Sequence, residues 1–348
     1  MAYTTINKSS DYFNTLLYAG NDATGRAISG VGFQPDFVWF KDRSNTINHA
    51  LYDAIRGTTK FLESSATSPE QTQTQGLTAF SSDGFTLGSN GSVNGNNNNY
   101  ASWNWLANGS GSANTDGTIN STYTSANTTA GFSIVKWTGT GSAGTLGHGL
   151  TATPKMIIVK NISDSVNWFV YNHSVITASA TNKSFMTLNT TDALGTNGSA
   201  TTFTSVSNTT FGVGTDNIIN GSGDNMIAYV FAEKTGYSKF GSYVGNGNAD
   251  GAFVYTGFKP AFVLLKNADG IYNWNMQDNK RDTFNPVDSH LAPNLNSIEY
   301  ASSSYNVDFL SNGFKLRNSL AVWNGSGNTH IYMAFAEEPL VGTNNIPA

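Results

Sequence analysis

Apolar side chains in this chain fall into short runs of two kinds. One kind is unbroken, as in Phe37-Val38-Trp39-Phe40, Met156-Ile157-Ile158-Val159 and Phe262-Val263-Leu264-Leu265. Runs of this length, rich in β-branched and aromatic residues, predict strands covered on both faces. The other kind alternates, as in Tyr100-Ala101-Ser102-Trp103-Asn104-Trp105, Met226 to Glu233 and Ile331 to Glu337. That period predicts strands with one face turned inward. The two kinds recur in a fixed order. Each unbroken run follows a proline (Pro35, Pro154, Pro260) within a phrase that returns three times, Gly32 to Asp42, Gly149 to Asn161 and Gly257 to Asn267. An aromatic-rich strand and a glycine turn precede each phrase, at Tyr12 to Gly20, Phe132 to Thr138 and Phe240 to Val244. A bulky pair follows it (Leu51-Tyr52, Trp168-Phe169, Trp274-Asn275), then a variable loop and a further short strand at Asp83 to Leu87, Thr210 to Val213 and Asn312 to Leu316.

The repeat is too long for a solenoid rung and suits a small domain. Helical periodicity is nearly absent, and His49 to Arg56 is the one stretch that fits a helical turn. Short strands punctuated by Gly and Asn predict an all-β chain of three tandem antiparallel β-sandwich or jelly-roll-like repeat domains. They are expected at 1–108, 131–235 and 236–348, each with its own core. Residues 109–130, mostly Gly, Ser, Asn and Thr, read as a linker without enough apolar surface to order itself. Only Lys234 to Ser238 separates the second unit from the third, so these two should abut. The last ten residues, Pro339 to Ala348, lack strand alternation and form a candidate docking segment.

Composition narrows the chemistry. Charged residues make up 12% of the 348, about half the ~25% usual for soluble proteins, so solubility rests on uncharged polar groups. The net charge of −5 and the absence of a Lys/Arg cluster argue against nucleic-acid binding. With no Cys there are no disulfides or thiolate metal sites. Met1 to Ile6 has neither a basic start nor an apolar core, and no run of about 18 apolar residues occurs, which predicts no Sec signal peptide and no membrane insertion.

No catalytic constellation emerges. Gly139-Thr140-Gly141-Ser142-Ala143-Gly144 matches a nucleotide-loop pattern, but no helix is predicted after it to hold phosphate, so it reads as a hairpin turn. Asn246, Asn248 and Asp250 before Gly251 mimic half of a calcium loop, with Gly257 where the closing Glu should stand, so a turn is favoured over a weak calcium site. Asp53 and Arg56 recur as Asp278 and Arg281, while the second unit has Asn172 and Val175; a structural ion pair bracing a turn is the expected role. The five histidines are scattered, and no Ser lies in GxSxG. No enzyme activity, cofactor or metal is predicted. Trp39, Trp103, Trp105 and Trp137, inside strands, are expected in the core. Two aromatic-plus-amide clusters suit sugar binding, although core and turn roles also fit them: Tyr100 beside Asn96, Asn97, Asn98 and Asn99, and Tyr272 and Trp274 beside Asn273 and Asn275.

Tyr237 to Gly247, Gly257 to Val263, Phe309 to Lys315 and Ile331 to Glu337 resemble a repeat family of unknown-function β domains found in virion proteins of marine tailed bacteriophages, and Gly32 to Lys41 and His148 to Lys160 are similar to its other copies. The resemblance implies a phage virion structural protein, tail-fibre-like or another surface appendage, assembled in the host cytoplasm beside other capsid or tail proteins and adhering to host cell-surface glycan through its variable loops. The alternative is a head or tail decoration or cement protein that stabilises the particle. Either would act as a homo-oligomer, a trimer by analogy with other phage appendages. No catalytic residues come with the resemblance.

Overall fold

Twelve strands, labelled in chain order, build three four-stranded units of the same order, the middle one forming the centre of an eight-stranded sheet, in a computed structural model that describes residues 4–339 and 341. The first segment supplies β1 (Phe13–Ala19), β2 (Phe37–Asp42), β3 (Ala50–Asp53) and β4 (Asn99–Trp105), in the order β1-β4-β2-β3. The second supplies β5 (Phe132–Thr138), β6 (Pro154–Asn161), β7 (Phe169–Asn172) and β8 (Asn225–Ala232), and the third β9 (Ser238–Val244), β10 (Pro260–Asn267), β11 (Asn275–Asp278) and β12 (Thr329–Ala336), each in the corresponding order. All pairings within the three sheets are antiparallel. Beside each lies a three-stranded sheet, formed by 26–29, 84–87 and 77–81, by 144–147, 210–213 and 203–206, and by 253–255, 313–316 and 307–310.

The unbroken apolar runs now have a physical reason. In β2, Phe37 and Trp39 enter an inner hydrophobic cluster, while Val38 and Phe40 enter an outer one shared with Ile28, Leu77, Phe85 and Leu87 of the neighbouring small sheet. In β10, Phe262 and Leu264 point inward while Val263 and Leu265 join Val254, Phe309 and Phe314 outside. The closing strands differ from the one-sided strands expected of their alternation. They sit centrally, and both faces of β4, β8 and β12 are buried beyond the first residue or so. Small or hydroxyl side chains between the aromatics, such as Ser102 and Ala334, are what let the second face be covered closely.

The inner cluster corrects the expectation of separate cores. It draws residues from all three segments into one continuous interior. Trp105, Phe231 and Phe335, at corresponding positions of the closing strands, lie with ring centroids 6.4, 6.2 and 5.8 Å apart, so the three sheets converge on one triangle of aromatic rings. Offset and edge-on aromatic contacts at such distances are favourable beyond the area they bury. Trp39, Trp103, Trp105 and Trp137 are all in this cluster, as their strand positions suggested.

Two local expectations are also overturned. Residues 50–53 of the supposed helical turn form β3, because pairing with β2 satisfies their backbone; short helical turns occur instead at Gly91–Asn94, Asn217–Asn220 and Ala321–Asn324. Within the supposed linker, Ser112–Asn114 and Ser121–Asn127 are strands, the latter paired to the edge of β5. An existing sheet edge can order a polar segment through main-chain hydrogen bonds alone. Ser125 reinforces the attachment by accepting from the Asn108 amide at 2.8 Å.

The segments close on one another in a cycle. Lys41 donates to the Asn296 carbonyl of the third segment, Lys160 to Thr67 of the first, and Lys266 to Thr191 of the second. Eight residues after each lysine, a ring nitrogen repeats the cycle: His49 Nε2 is 3.1 Å from the Ala292 carbonyl, and the Trp168 and Trp274 indoles donate to Glu63 and Thr187. A backbone bond completes each seam, from Glu299 to Arg43, Glu70 to Ile162 and Leu194 to Ala268.

Candidate ligand-binding site

Several of the buried charges belong to these seams, among them Asp53, Arg56, Asp278 and Arg281. Asp53 and Arg56 form an ion pair with no side-chain exposure, and Tyr229 of the second segment donates to Asp53 at 2.8 Å. Asp278 and Arg281 repeat it, with the Trp103 indole of the first segment donating to Asp278 at 3.0 Å and the Arg281 guanidinium over the Trp103 ring. The pair therefore does more than brace a turn, because its remaining acceptor capacity joins two segments. Glu299 lies between Arg281 and Arg43; burial alone would raise its carboxyl, but the two guanidiniums outweigh that and hold it below its ordinary range. Burial lowers Lys41, Lys160 and Lys266 to about 8, and each ammonium is ringed by at least three carbonyl oxygens. With their hydrogen-bonding capacity directed at neighbouring protein groups, these side chains act in assembly of the fold.

The calcium-like loop is likewise closed on itself. Asn324, buried in the last helical turn, donates to the Asn246 side-chain oxygen and to the Asn248 carbonyl, and Asp250 pairs with Lys315 at 2.9 Å. Asn94 and Asn220 tie the other two hairpins in the same way, the latter holding the 139–144 turn through Thr140 and Ser142. Gly144 opens a strand rather than a helix, which leaves that glycine pattern no phosphate-binding terminus. Among the described residues, no group of three or more His, Cys, Asp or Glu could hold a metal.

The two aromatic-plus-amide clusters are in different segments and do not meet. Asn96 and Asn97 are exposed on the turn before β4, Asn97 with a left-handed φ of 60°, and the Asn99 side chain is exposed at the strand start. Asn98 is committed to Asp42 at 2.9 Å. Tyr100 is buried, stacked on Tyr18, with its hydroxyl donating to Gly91 and accepting from the Gly95 amide. Trp274 is also buried, its indole spent on the seam with Thr187, so neither Tyr100 nor Trp274 presents a face to a ligand.

Tyr272, by contrast, lines an open cleft of about 270 Å³ beside the connection from β10 to β11. Asn273, Asn275, His290, Tyr305, Ile271 and Val322 complete its third-segment wall, and Thr191 of the second segment closes one side. The His290 ring stacks on Tyr305 with centroids 4.5 Å apart and planes 6° from parallel. Burial lowers His290 to about 4, and its Nδ1 is buried without a hydrogen-bond partner among the described residues. Asn273 is oriented by Asn294, which donates to its side-chain oxygen at 2.7 Å. The cleft thus has aromatic and amide walls and no charged side chain. Sequence reading reached Tyr272 and its asparagines but not His290, Tyr305 or Thr191, which lie far along the chain and in no motif.

The surface of the third segment differs from the rest. Among the described residues, every exposed large apolar side chain other than Leu17 and Tyr123 lies between 244 and 320, with Phe284 84% and Ile271 74% exposed.

A family described as Domain of unknown function (DUF7483) matches residues 8–339. No curated protein matches the chain.

Proposed function

The chain belongs to the DUF7483 family, and on that premise we propose that it is a non-enzymatic structural protein of a bacteriophage virion, built of three tandem β-sandwich repeats, that adheres to host-surface glycan through its third repeat. The observation that carries this reading is the concentration of exposed apolar side chains in 244–320. Exposed apolar side chains held in one segment and nearly missing from the other two point to that segment as the one that contacts something else. The first two repeats, with little such surface, serve as the attached body, and the buried carboxylates Asp53, Asp278 and Glu299 are tied up in seam ion pairs. Partners are other virion proteins and the host surface, and assembly takes place in the host cytoplasm into a homo-oligomer. The cyclic closure of three repeats within one chain means that threefold geometry does not itself require three copies.

The test is attachment of labelled full-length protein to host cells. Phe284→Ser together with Ile271→Ser should reduce attachment severalfold without lowering thermal stability, since both side chains are outside the core. Unchanged attachment sinks the adhesion reading. The exposed Phe284 also favours the second reading, a cement protein that buries this surface against capsid or tail subunits. In that case the same double variant lowers the heat tolerance of particles and leaves cell attachment untouched. The proposed C-terminal docking segment, 339–348, lies outside the described residues except for Pro339 and Val341.

A further inference from the structure

We infer that the cleft between the second and third segments is a subsite for one uncharged sugar ring, held against Tyr272 and by the amides of Asn273 and Asn275. This inference rests on the adhesion reading for its biological setting and on the cleft alone for its chemistry.

Three features select the ligand class. First, no charged side chain lines the cleft, so neither a carboxylate nor an ammonium on the ligand would find a counterion to offset the loss of its hydration. His290 is the one imidazole in the lining, and burial lowers it to about 4, which leaves it neutral near pH 7. Second, the walls are mixed in the manner of the ligand. Tyr272, Tyr305, Ile271 and Val322 offer apolar surface to the C–H face of a pyranose, while the Asn273 nitrogen, whose amide oxygen accepts from Asn294, and the Asn275 oxygen, whose amide nitrogen donates to the Asn273 carbonyl, are left as one donor and one acceptor for its hydroxyls. A wholly apolar ligand would leave that donor and that acceptor unanswered. Third, about 270 Å³ falls just below the ~300 Å³ at which drug-sized pockets begin, which limits the occupant to a single ring of a longer glycan.

The location supports the same conclusion. Thr191 stands at the edge of the cleft while its carbonyl accepts from Lys266, so one wall is fixed to the seam and does not need to be ordered on binding. Asn273 is similarly fixed by Asn294. Preset walls reduce the entropy lost when a small ligand is captured.

The experiment is titration of the full-length protein with free glucose, galactose and N-acetylglucosamine, and with glucuronate and glucosamine as charged counterparts, followed by saturation-transfer NMR. At least one neutral sugar should saturate with a Kd on the order of millimolar, the weak range expected of a single ring. The charged sugars should bind at least about tenfold more weakly. Tyr272→Ala should weaken the neutral sugar about tenfold or more, while Tyr272→Phe, which keeps the ring, should stay within about threefold. Because Tyr272 is half-exposed, melting of the variants should match the parent; if Tyr272→Ala melts lower, Thr191→Glu, which brings a charge to the rim, replaces it with the same expected loss. Absence of saturation by every neutral sugar, equal binding of the charged ones, or full binding by Tyr272→Ala overturns the assignment. The two readings separate cleanly. Sugar binding lost in Tyr272→Ala with cell attachment intact upholds the cleft and overturns host adhesion through it. Attachment that needs the third segment in a protein that binds none of the sugars overturns the cleft alone.

Discussion

The seam between the first and third segments and the seam between the second and third use the same backbone with opposite side-chain chemistry. At the former, Asp278, Arg281 and Glu299 meet Trp103. At the latter, the corresponding positions hold Asn172, Val175, Leu194 and Met333, and Val175 and Leu194 pack against the shared core. The charged groups were exchanged as a set: where the aromatic donor is absent, so are the acid, the arginine and the glutamate. This is the pattern expected if a buried ion pair and an apolar cluster are alternative solutions to one packing problem, each viable only when complete. What the seams share is the lysine, the ring nitrogen and the backbone bond. The incomplete trace is Asn172, whose side-chain nitrogen is buried with no partner among the described residues. The cleft lined by Tyr272 and Thr191 opens at this apolar seam.

The comparison breaks most sharply at Arg281. Arg281→Met alone strands the Asp278 carboxylate in the interior and should cost about 3–5 kcal/mol in denaturant unfolding. Converting the whole set, Asp278→Asn, Arg281→Val, Glu299→Leu, Trp103→Met and Arg43→Ala (Ala268 holds the last place at the apolar seam), should recover most of that loss even though five side chains change, leaving a deficit set mainly by the smaller Met in place of Trp. If the fivefold variant is less stable than Arg281→Met, the two chemistries are not alternatives. Next in size is the response to acid. All five histidines have pKa values lowered first of all by burial, His290 to about 4. Each contributes stability that is complete above the ordinary value near 6.5 and is lost as pH falls toward the folded-state value, because the unfolded chain takes up the proton first. Melting temperature should therefore drop between about pH 6.5 and 4. His49→Gln, which keeps a side-chain donor for Ala292, should make that drop shallower; an unchanged slope would place the sensitivity elsewhere. The smallest effect belongs to the surface pair Lys239–Glu233, at 2.7 Å beside the short link between the second and third segments. Lys239→Ala should change stability by no more than about 0.2–1 kcal/mol, and a larger loss would mean that the apolar seam depends on an exposed charge pair.

The strands were legible in the sequence because side-chain period and covering are local properties. The unbroken run at Phe37 to Phe40 announced two covered faces, and both exist. The triplication was legible too, but what it built was not. Trp105, Phe231 and Phe335 alternate in the same way as side chains that face a private core, and nothing local distinguishes those from three rings meeting one another. The polar stretch 109–130 misled for a related reason, since its order comes from the free edge of β5 and not from its own composition. Trp274 looked like a ligand platform among asparagines, yet one hydrogen bond to Thr187 accounts for it. Of the cleft, the half carried by contiguous residues 272–275 could be read. The half supplied by His290, Tyr305 and Thr191 could not, because their convergence depends on how the segments close.

That closure governs the order in which the molecule can be made. Lys41 leaves the ribosome 255 residues before its partner Asn296, and His49 precedes Ala292 by nearly as far. Until translation is almost finished, the opening sheet must wait with its aromatic underside and a buried-type lysine still open to solvent, a stage at which the nascent chain is most in need of protection from its neighbours.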